Sequence, residues 1–78
     1  MPLLPISLNL ENALCLVVGG GKIAHRKTVS LLECSAKVLL IAPQLDEIFQ
    51  PLRNQIDYQP RFFHPDDCHG ARLAFACT

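Results

Sequence analysis

Neither sign of charge predominates in the sequence: seven Lys and Arg stand against seven Asp and Glu in 78 residues. No summed field draws such a chain onto nucleic acid or an anionic membrane, so neither is expected as a partner. Long hydrophobic runs are missing too. The longest, such as residues 13–18 (ALCLVV), fall far short of the roughly 20 apolar residues that a membrane-spanning helix needs. The opening MPLLPISLNL has no positively charged stretch, and Pro2, Pro5, Ser7 and Asn9 interrupt its apolar residues, so it does not read as an export signal. There is no internal repeat, low-complexity tract or Gly/Ser linker, which leaves one small core and one domain, or part of one. Of the four cysteines, Cys15 and Cys77 sit inside apolar runs, where a free thiol behaves as a small hydrophobe. All four are expected to be reduced, in a soluble, cytoplasmic protein.

With 50% hydrophobic and 18% charged residues, the composition is that of a globular chain and excludes a disordered one. Short apolar runs alternate with amphipathic stretches, the pattern of α/β organisation. Residues 13–18 are continuously apolar, as in a parallel strand covered on both faces. From Lys22 to about Cys34, Ala24, Thr28, Leu31 and Leu32 recur at helical spacing, with His25, Arg26 and Lys27 opening a more polar side. Residues 37–42 (KVLLIA) form a second strand closed by Pro43. A strand–helix–strand unit of this length is a right-handed parallel crossover. Residues 45–55 suggest a helix that Pro51 keeps short or late-starting, residues 57–63 a third strand, Pro65-Asp66-Asp67 a turn or a single helical turn, and residues 73–77 (LAFAC) a fourth strand. The expected fold is Rossmann-type α/β, with a four-stranded parallel sheet in the order 3-2-1-4 and residues 1–78 as the first part of the domain.

Chemistry enters at Gly19-Gly20-Gly21-Lys22-Ile23-Ala24, a G-x-G-x-x-A run between an apolar strand and an amphipathic helix. Gly19 supplies a tight turn, Gly21 lets a pyrophosphate approach the backbone, and Ala24 lets the helix pack closely on the strand. Unbonded amides at the helix start, at the positive end of its dipole, complete an anion site. The acidic residue that closes the second strand in many such sites, and takes the ribose hydroxyls, is missing: the sequence there reads Ala42-Pro43-Gln44. Gln44 or backbone groups are expected to stand in for it. No Arg is present there either, so these residues leave NAD and NADP open.

Taken together, LPISLNLENALCLVVGGGKIAHRKTVSLLECSAKVLLIAP resembles the N-terminal segment of the siroheme synthase family, with its leucine–proline start, VVGGG turn, R-K pair and A-P strand end. FHPDDCHGARLAFACT is similar to the same family's F-x-P-x-D-L-x-G stretch and A-x-A-T strand. The resemblance implies a homodimeric, NAD-dependent precorrin-2 dehydrogenase that makes sirohydrochlorin and, in many members, inserts ferrous iron to give siroheme. It also implies NAD contacts at Lys22, Ile23, Pro43 and Gln44, the first two through their backbone amides. Beside Gly19 and Gly21 these are the candidate cofactor residues; no catalytic residue and no metal ligand is assigned. The aspartate that the family places after its A-T pair would lie beyond Thr78, so the chain alone is expected to carry part of the NAD site and little turnover. A non-catalytic NAD or nucleotide sensor module and an inactive truncated fragment are the alternatives.

One departure from the family bears on stability: Cys34-Ser35-Ala36 replaces alanine-glycine-alanine at the helix end, so that a non-glycine takes a left-handed cap at a cost of about 1 kcal/mol. Arg26 and Lys27 are weighed as partners for a carboxylate or phosphate against a solvated helix face, which is favoured. His64, Cys68 and His69 lack the second ligand pair of a structural zinc site. Asp66 and Asp67 read as turn caps, and Cys34 and Cys68 have no base at a fixed spacing.

Overall fold

The computed structural model describes residues 10–77; the leucine–proline start and Thr78 lie outside them. Four strands, β1 (Leu14–Val18), β2 (Lys37–Ile41), β3 (Ile56–Gln59) and β4 (Leu73–Ala76), form one sheet in the order β3-β2-β1-β4, with every neighbouring pair parallel. This is the expected 3-2-1-4 order of a Rossmann-type fold.

Register explains which residues make the core. Ile56, Val38, Cys15 and Leu73 lie in one row across the sheet, and Tyr58, Leu40, Val17 and Phe75 in the next. Strand side chains alternate between faces, so both rows point to the same side. There they meet Ala24 and Leu31 of helix α1 (Lys22–Glu33) and Phe49, all buried in one cluster. On the other face Leu16 and Ile41 are fully buried, while Ala74 and Ala76 of β4 and Asp57 of β3 are exposed. The helix keeps its apolar stripe through Ala24, Thr28 and Leu31, with Leu32 half-buried beside it.

The helix ends in a Schellman arrangement. Ser35 N–H donates to the Leu32 carbonyl over 3.0 Å and Ala36 N–H to the Leu31 carbonyl over 3.1 Å, with Ser35 at φ +61°. The non-glycine left-handed cap read from the sequence is therefore present. The polar side of α1 is only partly solvated: His25 packs edge-on to Phe49, with centroids 5.1 Å apart, and Lys27 Nζ lies 4.8 Å from the Phe75 ring centroid.

Two expected elements are corrected. The third strand ends at Gln59, not near residue 63, because Pro60 has no amide to donate and Arg61 N–H turns back to the Gln59 carbonyl over 2.9 Å. The expected helix before it is present as a 3-10 helix, Glu47–Gln55, but Pro51 neither shortens nor delays it, since the helix runs through that residue. Its i to i+3 pattern begins with Phe49 N–H on the Asp46 carbonyl at 3.0 Å.

The turn at Pro65-Asp66-Asp67 is a short 3-10 segment, Pro65–Cys68. His64 Nδ1 accepts the Asp66 amide at 3.1 Å, and Asp67 Oδ2 accepts the His64 amide at 2.8 Å. Arg61 grips both oxygens of Asp67 at 2.8 and 2.9 Å, and its guanidinium holds that carboxyl down at about 2. Asp67 acts here as a cap.

Candidate functional site

Parallel strands deliver their C-terminal ends to one edge of the sheet, where open α/β folds bind ligands. At this edge β1 runs into Gly19, Gly20 and Gly21, and α1 starts at Lys22. Gly19 donates its amide to the Ile41 carbonyl at 2.9 Å, and Cys77 donates to the Val18 carbonyl at 2.8 Å, so the turn is held from both neighbouring strands.

Each glycine has a separate reason. Gly19 has φ +133°, and a Cβ there would meet the Cys77 carbonyl oxygen at 2.8 Å. A Cβ at Gly20 would overlap the carbonyl oxygen of Gln44. A Cβ at Gly21 would meet nothing within 4 Å: it would project into open space. Gly19 and Gly20 thus serve the packing of the protein, whereas the smallness of Gly21 serves no contact inside it.

Beside this turn lies a cleft of about 470 Å³, walled by Gly19, Gly20 and Gly21 on one side and by Ala42 to Asp46 on the other, with Cys77 at its end. Tyr58 Oη donates to the Ala42 carbonyl at 3.0 Å and anchors this second wall from β3. Asp46 ties the walls together, its amide donating to the Gly20 carbonyl at 2.8 Å. The amides of Gly21, Lys22, Ile23 and Ala24 precede the first bond of the helix ladder, from His25 N–H to the Gly21 carbonyl at 3.0 Å, and no side chain caps them. An anion at this end of α1 meets unpaired donors and the positive end of the helix dipole. The open Cβ position at Gly21 and these amides fit a dinucleotide pyrophosphate.

Of the six candidate cofactor residues, Gly19, Gly21, Pro43 and Gln44 line the cleft. Lys22 and Ile23 do not bring their side chains to it. Lys22 lines a second groove with His25, Arg26 and Ile48, and the Ile23 side chain is 65% exposed, which leaves both residues their backbone amides. Sequence reasoning missed Gly20, Asp46, Tyr58 and Cys77. The triple glycine was a signal for the first of these. The others come from segments distant in sequence, and no local pattern marks them.

Lys27 has an aromatic ring under its ammonium rather than an anion, and Arg26 is exposed on the second groove. His64 is engaged in the turn through Nδ1, and among the described residues no group of three or more His, Cys, Asp or Glu is placed to hold a metal ion. All four cysteines are free thiols; burial pushes the Cys15 thiol up, out of the range of a ready nucleophile. No helix among the described residues is long and apolar enough to cross a membrane.

Residues 6–78 match the family model for NAD(P)-binding. All of the chain aligns with a siroheme synthase of Photobacterium profundum at 40% identity and with one of Nitrosomonas eutropha at 35%, in each case over 17% of the relative's length. Among solved structures, SirC, a precorrin-2 dehydrogenase, superposes with a TM-score of 0.84 at 26% identity, over 97% of this chain and 39% of that one. The chain therefore spans less than a fifth of the siroheme synthases it matches. Its sheet order, glycine turn and sequence agree, and the chain belongs to the NAD(P)-binding family.

Proposed function

We propose that this chain is the NAD-binding part of a precorrin-2 dehydrogenase of siroheme biosynthesis, with residues 1–78 forming part of its dinucleotide-binding domain. The observation that carries the reading is Gly21: its Cβ position opens onto solvent beside four uncapped helix amides, at the sheet edge where such folds take a pyrophosphate. Likeness to siroheme synthases and to a precorrin-2 dehydrogenase supplies the substrate class, a tetrapyrrole.

When bound, NAD supplies the acceptor for a hydride from precorrin-2. The residues of this chain position it. Gly19 and Gly21 admit the pyrophosphate, the amides of Lys22 and Ile23 donate to it, and Pro43 and Gln44 form the wall that receives the adenosine. No residue of this set moves a proton. A homodimer in the cytoplasm, with iron insertion as a second activity, completes the reading; it is supported by the family likeness.

Calorimetric titration of the chain with NAD, alongside Gly21→Asp, tests this. The expected result is saturable binding that the variant abolishes, since a carboxylate in the open Cβ direction repels the pyrophosphate. A folded wild-type chain that binds neither NAD nor NADP would refute the reading.

A further inference from the structure

Asp46 is the only charged residue among the described residues that line the cleft. β2 ends at Ile41 without an acidic residue, and Asp46 follows five residues later, beyond the Pro43-Gln44 wall. Its backbone is pinned to the glycine turn by the 2.8 Å bond from its amide to the Gly20 carbonyl. Its side chain is held by Oδ1, which accepts the Ile48 amide at 3.0 Å as the cap of the 3-10 helix. The other oxygen, Oδ2, has no donor among the described residues. The cleft wall therefore holds one charged residue, a carboxylate fixed through Oδ1, and among the described residues no basic one lines the same walls. Lys22, next to the glycine turn, lines the other groove.

A ribose with both hydroxyls free donates hydrogen bonds that a carboxylate accepts, whereas a ribose 2′-phosphate brings negative charge against it. We propose that Asp46 takes the adenosine ribose hydroxyls and makes the cleft select NAD over NADP. This inference rests on the dinucleotide reading of the cleft. It assigns to Asp46, from the loop beyond β2, the part that an acidic residue at the strand end plays in other folds of this class.

The test is calorimetric titration of the full chain with NADH and NADPH, in wild type and in Asp46→Asn, which keeps the side-chain oxygen that caps the Ile48 amide and removes the charge. Asp46→Ser, also a good capping residue, guards against a local effect of the new amide. Wild type is expected to bind NADH at least about tenfold tighter than NADPH, and both variants to lose most of that preference, with unchanged circular dichroism. If both folded variants keep the wild-type preference, or if wild type takes NADPH as well as NADH, the role of Asp46 is overturned while the dinucleotide site stands. If folded wild type binds neither, both fall together.

Discussion

The Cα of Gly20 packs directly under the carbonyl of Gln44, so closely that a methyl group on it would overlap that oxygen. The glycine turn after β1 and the loop after β2 are therefore one packed unit, and the cleft lies between them. Gly20→Ala should force the two walls apart and destabilise the chain by about 2–3 kcal/mol. Gly21→Ala, whose Cβ meets nothing, should leave stability within about 0.5 kcal/mol of wild type. Urea unfolding of the two variants checks this; equal stability losses would contradict the separate roles of the two glycines.

Thr28 is fully buried on the core face of α1, and its hydroxyl has no hydrogen-bond partner among the described residues. Burying a hydroxyl without a partner is costly, and valine has nearly the same shape. Thr28→Val should stabilise the chain by about 1 kcal/mol, seen as a rise in the denaturant midpoint with the slope unchanged.

Ser35 sits at φ +61° in the cap of α1, where a Cβ is unfavourable and glycine is not. Its backbone bonds are made by amides and carbonyls that glycine also has. Ser35→Gly should raise the stability by about 0.5–1 kcal/mol and Tm by a few degrees. Thermal unfolding followed by circular dichroism is the measurement, and a lower Tm would show that the serine side chain contributes more than its conformation costs.

Asp67 is held at about 2, below its ordinary 3.8, first by the bidentate bond from Arg61 and then by the His64 amide. A carboxyl whose folded value is depressed adds stability above its unfolded value, and this is lost as pH falls through the folded one. The gap in stability between wild type and Asp67→Asn should thus be constant above about pH 5 and close between about pH 4 and 2. The pair lies at the surface, so added salt should shrink the gap. A gap that persists at pH 2 would place the contribution elsewhere.

Much of this molecule was determined by the sequence itself. Residues 13–18 and 37–42 are apolar without interruption, which in a short run between turn signals means a strand covered on both faces, and the handedness of the crossover then sets their order. Ala24, Thr28 and Leu31 repeat at helical spacing, so the buried face of α1 was legible, as was the glycine turn between strand and helix. These features depend on neighbours in the chain, where spacing is information.

Tertiary structure decided what depends on distant segments. The end of β3 at Gln59 follows from Pro60 and the Arg61 amide, and the seat of residues 47–55 on the core from Phe49, buried against His25 of α1. The second wall of the cleft was hidden for the same reason. Gly20 looks like a spacer until the Gln44 carbonyl is brought against it, and Asp46 is an ordinary helix cap until its amide reaches the Gly20 carbonyl. In both cases the partner is more than twenty residues away, and only the parallel pairing of β1 with β2 brings the two loops side by side.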